Sequence, residues 1–130
     1  MGRYRFDPAA SVLVVFATIQ GRQPAQRRRL KVALDTGATY TMIPWEVAQA
    51  LGYHPERSRR RIELMTASGM VVVPLLEVKE VKALGQTVKG LEVLVHDLPP
   101  AGRVEGLLGL NFLRGFKLTL DFKAGILELE

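Results

Sequence analysis

Asp35-Thr36-Gly37 is the run in this chain whose residue types could do chemistry. A carboxylate carried on a tight turn can take a proton from water or give one up, and a hydroxyl and a glycine beside it shape the turn without blocking access. By itself the triplet is weak. It arises by chance in roughly 3% of chains of this length, and an Asp before a Gly turn is ordinarily a turn former. Its setting changes the odds. The Asp follows Leu30-Lys31-Val32-Ala33-Leu34, a strand-like run with one apolar face, and Thr41-Met42-Ile43 and a short helix come next. Far downstream, Leu107-Leu108-Gly109-Leu110-Asn111-Phe112-Leu113 repeats the pattern of an apolar pair and a Gly entering a short helix.

Other chemistries are poorly supplied. Cys is absent, which excludes a thiolate zinc site, a Cys nucleophile and a disulfide scaffold. No G-x-S-x-G occurs, and His54 and His96 stand apart from any partner pattern, so neither a serine triad nor a metal centre is expected. Phosphate-loop and dinucleotide motifs are missing, and no cofactor is anticipated. The net charge of +5 comes largely from Arg27-Arg28-Arg29 with Lys31 and from Arg57 with Arg59-Arg60-Arg61. No aromatic residues interleave with these runs, which argues against a specific nucleic acid partner. A basic nucleic-acid-binding β-domain with an accidental triplet stays as a competing reading.

The elements that must position Asp35 are short and mostly extended. Ser11 to Gln20 reads as a strand, Gly21 to Gln26 as a turn, and Arg29 to Asp35 as the returning strand of a hairpin. Thr39 to Ile43 is extended, and Pro44 opens a helix over Trp45 to Leu51 that stops at Gly52. Arg61 to Ala67 and Met70 to Val81 flank Ser68-Gly69, the composition of a hairpin tip. A further hairpin at Ala83 to Gln86 leads into Thr87 to Val95, and the loop Asp97 to Gly102 precedes Leu107-Leu108-Gly109. A helical stretch over Asn111 to Arg114 follows. Then Phe116 to Phe122 alternates strictly and Ile126 to Leu129 returns.

One domain over residues 1–130, mainly β with two short helices, is the expected architecture, with residues 1–10 loosely ordered. The longest apolar run, Val12 to Ile19, falls far short of the ~20 residues a membrane helix needs. No signal peptide is read at the amino terminus, so the expected location is cytoplasmic, with no membrane partner.

On these residues the sequence resembles the retropepsin-like aspartic proteases, over roughly Val12 to Leu129. The resemblance implies a closed β-barrel. It implies that Asp35 is the catalytic carboxylate, with Thr36 and Gly37 completing its turn. It also implies that Leu107-Leu108-Gly109 threads beneath the active-site loop and that a flap closes over substrate at Thr66-Ala67-Ser68-Gly69-Met70. The closing hairpin Phe116 to Leu129 looks most like bacterial and Ddi-type members. The flap departs from the family by carrying Ala and Ser in place of a Gly-rich tip.

Peptide hydrolysis by this chemistry needs two carboxyl groups near enough to share a proton. The chain encodes one Asp-Thr-Gly, so the expectation is a homodimer with two copies of Asp35 at its axis and a peptide or protein substrate between subunits. The resemblance gives Thr36 a hydrogen bond across that axis. Substrate contacts are expected from Ala38, Met65, Thr66, Ala67, Ser68, Gly69, Leu107, Leu108 and Gly109, with Leu34, Ile43 and Val72 as further candidates for the cleft wall. A module of the same fold that binds peptides or dimerises without cleaving is the alternative function.

Overall fold

A computed structural model describes residues 2–99 and 102–130. The strands are β1 (Gly2–Arg5), β2 (Val14–Gln20), β3 (Arg27–Leu34), β4 (Thr41–Ile43), β5 (Arg61–Thr66), β6 (Gly69–Ala83), β7 (Gln86–Val95), β8 (Gly106–Leu108), β9 (Leu118–Asp121) and β10 (Ile126–Leu129). Two short helices, α1 (Trp45–Ala50) and α2 (Leu110–Leu113), and a single 3-10 turn at Pro55–Arg57 complete the chain.

Six strands close on themselves. The order β2-β3-β8-β4-β7-β6 returns to its start because the far end of β6 pairs with β2, Ala17 opposite Ala83 and Gln20 opposite Glu80. Closure removes free edges from the barrel wall. β6 is long enough to do two jobs. Its first residues pair with β5 to form a projecting hairpin, Thr66 opposite Gly69, while its later residues pair with β7 in the wall. The interior is filled by alternating inward residues such as Ile19, Leu30, Val32, Val81 and Val93, all essentially without solvent contact. Phe112 of α2 plugs the same core.

Local sequence explains where the elements stop. α1 begins after Pro44, whose extended backbone (φ −70°, ψ 156°) cannot lie inside the helix, and whose carbonyl accepts the Ala48 N–H. Leu51 caps the other end and Gly52 follows at φ 85°.

Two features differ from the sequence expectation. The amino-terminal residues were expected to be loosely ordered; instead Gly2–Arg5 forms β1, antiparallel to β10, and makes a second, three-stranded sheet β1-β10-β9. Phe6 then packs edge-on against Phe122, ring centroids 5.7 Å apart, and joins the main core. The second difference is in partner choice. β3 runs parallel to β8 and β4 parallel to β7, crossovers that a chain of hairpins does not suggest. The expected loop Asp97 to Gly102 includes residues 100–101, which lie outside the described residues. Among the described residues no helix is long and apolar enough to cross a membrane.

Candidate active site

Asp35 stands at the end of β3, where the buried strand gives way to a turn. Its position is set by backbone bonds on both sides. The Asp35 N–H donates to the Leu108 carbonyl at 3.0 Å, tying the turn to β8, and the Ala38 N–H returns to the Asp35 carbonyl at 3.2 Å. The Gly37 N–H donates to Asp35 Oδ1 at 2.9 Å, which leaves Oδ2 without a partner among the described residues and the half-buried carboxylate free to meet a ligand. Thr36 and Gly37 are exposed in the single chain.

Beneath the turn passes the segment Leu107-Leu108-Gly109. The approach is too close for any side chain at two positions. A Cβ on Gly109 would lie 2.5 Å from the Tyr40 carbonyl oxygen and 2.9 Å from that of Ala38, and one on Gly106 would collide with the Met42 carbonyl. The Leu110 and Asn111 N–H groups then donate to the Ala38 and Thr39 carbonyls at 2.8 and 3.1 Å. These are amides at the start of α2, which would otherwise lack partners. The loop is thus stitched to the barrel from below.

Side-chain bonds complete the stitching. Thr41, the one buried polar residue among those described, is 1% exposed. Its hydroxyl accepts the Gly109 N–H at 3.1 Å and donates to Asn111 Oδ1 at 2.9 Å, and its own N–H donates to the same oxygen at 2.9 Å. Asn111 Nδ2 donates to the Glu92 carbonyl at 2.6 Å. Every polar atom in this group has a partner, which makes the arrangement rigid. Sequence reading missed Thr41, whose only signal was a polar residue inside an apolar strand.

Two cavities border the β5–β6 hairpin, and the smaller also borders this loop. One of about 680 Å³ is lined by Met65, Thr66, Ala67 and Ser68 of the hairpin, by Leu107, and by His96 to Pro99. A smaller one of about 280 Å³ is lined by Gly37, Ala38, Thr39 and Tyr40 on one side and Ile62 to Leu64 on the other. Met42, Leu64 and Leu107 border both, so these three side chains form the ridge between them. At the hairpin tip the Thr66 hydroxyl donates to the Gly69 carbonyl at 2.8 Å and accepts the Ser68 N–H at 3.2 Å, which holds the turn without a run of glycines.

Several expected contacts are corrected by burial. Leu108 is wholly enclosed in the core and Gly109 is covered by the loop above it, so both support the site and neither lines these two cavities. Ile43 is likewise fully buried in the main core. Val72 is 59% exposed and lines neither cavity. Leu34 packs against the core from the edge, and neither it, Asp35, Thr36 nor Gly69 borders either cavity.

A family model described as aspartyl protease matches residues 15–112. No curated protein matches the sequence. Among solved structures, the chain superposes on a retropepsin-like aspartic protease from Rickettsia conorii with a TM-score of 0.71 and 21% sequence identity, covering 98% of this chain and 89% of that one. The barrel, the hairpin and the threaded loop are therefore a retropepsin-like fold.

Proposed function

Because the chain belongs to the aspartyl protease family, we propose that it is an endopeptidase whose working unit is a homodimer with the two copies of Asp35 facing each other across the two-fold axis. One observation carries this reading. A single half-buried carboxylate, with one oxygen unclaimed among the described residues, is fixed in a turn whose Gly37 and Ala38 border a cavity closed on its other side by a hairpin, while the exposed Thr36 and Gly37 leave a face for a second copy.

In the dimer one Asp35 is ionised and its mate carries the shared proton, because two adjacent like charges are unfavourable. The ionised carboxylate takes a proton from water as the water oxygen bonds to the scissile carbonyl carbon, and the protonated one gives its proton to the carbonyl oxygen. Collapse of the resulting gem-diol breaks the C–N bond: the protonated carboxyl gives its proton to the leaving nitrogen, the ionised one takes a proton from a gem-diol hydroxyl, and the carboxyl product leaves with the dyad restored to one shared proton. Thr36 would bond across the axis and hold both loops. The two cavities, unequal and largely apolar, suit an extended peptide with a larger and a smaller apolar side chain.

The test is cleavage of a diverse peptide library between about pH 4 and 7, a range bracketing the shared proton of such pairs. Wild type is expected to cut and Asp35→Ala to lose at least about a thousandfold in rate. Cleavage surviving the substitution overturns the mechanism. Peptide binding by wild type with no cleavage would favour the non-catalytic module.

A further inference from the structure

A third cavity, of about 400 Å³, opens at the other end of the β2–β3 ladder. It is bordered by Arg22 from the turn after β2, by Tyr53, His54, Arg57 and Ser58 around the 3-10 turn, and by Leu76, Glu77 and Lys79 of β6. Seven paired positions, Gln20 opposite Arg27 through Val14 opposite Ala33, lie between it and the Asp35 loop. At about 3.3 Å per residue the two sites are roughly 20 Å apart along the strand.

Three cations meet here with one carboxylate, Glu77. Elsewhere four arginines find acids, Arg3 with Glu128, Arg27 with Glu80, Arg28 with Glu46 and Arg60 with Glu92, while Arg5, Arg29, Arg59, Arg61, Arg103 and Arg114 form no ion pair among the described residues and do not border this cavity. Among the described residues Arg22, Arg57 and Lys79 pair with none, and the nearby Glu56 carboxylate lies 3.4 Å from His54 Nδ1. Their backbones are fixed. The Arg22 N–H donates to the Leu51 carbonyl at 3.0 Å, the Arg57 N–H to the His54 carbonyl at 3.0 Å, and the Lys79 N–H to Tyr53 Oη at 2.9 Å. Tyr53 Oη in turn donates to the Gln20 carbonyl at 2.6 Å, bracing the floor between β2 and β6. Holding like charges around one concavity is unfavourable unless an anion joins them.

We infer that this cavity binds a compact oligophosphate group, the chemistry shared by inorganic pyrophosphate and the phosphate tail of a nucleotide. The two guanidinium forks, on separate elements, match phosphate oxygens bidentately, and Lys79 adds a point charge. The volume is within the range of small-ligand sites. One isolated carboxylate could satisfy only one of the three cations, whereas linked phosphates offer several charges within that span.

The experiment is calorimetric titration of the full chain with pyrophosphate, with ADP and with adenosine, at constant ionic strength. Saturable one-to-one binding of pyrophosphate is expected. It should weaken at least about tenfold in an Arg22→Gln, Arg57→Gln double variant and stay unchanged in Arg3→Gln, on the distant β1 strand. Both substituted arginines are exposed and, among the described residues, their side chains make no hydrogen bond, so unfolding midpoints without ligand should match wild type. ADP binding tighter than pyrophosphate, with adenosine inert, identifies a nucleotide tail; equal or weaker ADP binding identifies the inorganic ion. No pyrophosphate binding, binding unaltered in the double variant, or duplex DNA retention that the double variant loses and pyrophosphate does not displace overturns the inference.

Discussion

The Thr41 hydroxyl and the Asn111 side-chain oxygen lie 2.9 Å apart inside the barrel, and through them the loop bearing Asp35 is bonded to the strand and helix that pass beneath it. The relationship spans 70 residues of sequence. Asn111→Ala would leave the Thr41 N–H, the Thr41 hydroxyl proton and the Glu92 carbonyl without these partners in a part-buried region. A loss of about 2–4 kcal/mol is expected, from one to three kcal/mol for each buried group left unpaired and partly relieved by relaxation. Urea unfolding measures it, and a loss below about 0.5 kcal/mol would show the bonds to be incidental.

How much of this was visible beforehand depends on the kind of information involved. Alternation of Leu30 and Val32 and the abrupt turn at Asp35 are local, so β3 and the candidate carboxylate could be read from residue types alone. The parallel pairing of β3 with β8 could not, because period-two alternation fixes faces and says nothing of partners. β8 is three residues long, too short to announce itself except through the glycines that border the crossing. β1 was hidden for another reason: Gly2-Arg3-Tyr4-Arg5 is an edge strand with almost no buried face, and it exists because β10 offers it a ladder. The mistaken assignment of Leu108 to the cleft has the same origin, since an apolar pair on one strand must put its members on opposite faces, and burial decides which is which.

If both copies of Asp35 act together, subunits are not independent. Mixing wild type with Asp35→Asn, and allowing exchange, should make activity follow the square of the wild-type fraction. An equal mixture would then retain about one quarter of the activity of the same total amount of wild type. A linear dependence, with one half retained, would show that each chain works alone.

Ala38 offers a test of the acid-base chemistry. Its methyl lines the smaller cavity beside the Asp35 turn and can donate nothing. A serine there can hydrogen-bond a carboxylate and favours the charged form, so in the proposed dimer the shared proton should be lost at lower pH. The alkaline limb of the activity profile in Ala38→Ser is expected to move toward acid. An unmoved or alkaline-shifted limb refutes the argument.

The amino-terminal strand should contribute measurably to stability. Phe6 is partly buried, its ring edge-on to Phe122 at 5.7 Å, and its N–H donates to the Gly125 carbonyl at 2.9 Å. Phe6→Ala keeps the backbone bond and removes the ring. The cost should be about 1–3 kcal/mol, below the 3–5 typical of a fully enclosed phenylalanine. Thermal unfolding of the variant, with amide exchange at Arg3 and Arg5, separates simple loss of packing from detachment of β1.

Tyr53 gives the clearest dependence of stability on pH. Burial pushes its hydroxyl above the ordinary tyrosine value, opposed in part by the Lys79 N–H it accepts and by the Arg22 charge. A raised value in the folded state means that the unfolded chain ionises first. Below about pH 10, the unfolded tyrosine value, both states are protonated and nothing is lost; above it, the unfolded state is favoured progressively until the folded group ionises too. Tyr53→Phe removes this dependence but also the bonds to the Gln20 carbonyl and the Lys79 N–H. At pH 8 the variant should therefore be less stable by about 1–3 kcal/mol, and between pH 9.5 and 11, a window set about the ordinary tyrosine value, the gap to wild type should narrow. Urea midpoints of the two proteins across that window decide the matter: a gap that stays constant shows that the Tyr53 hydroxyl titrates alike in both states.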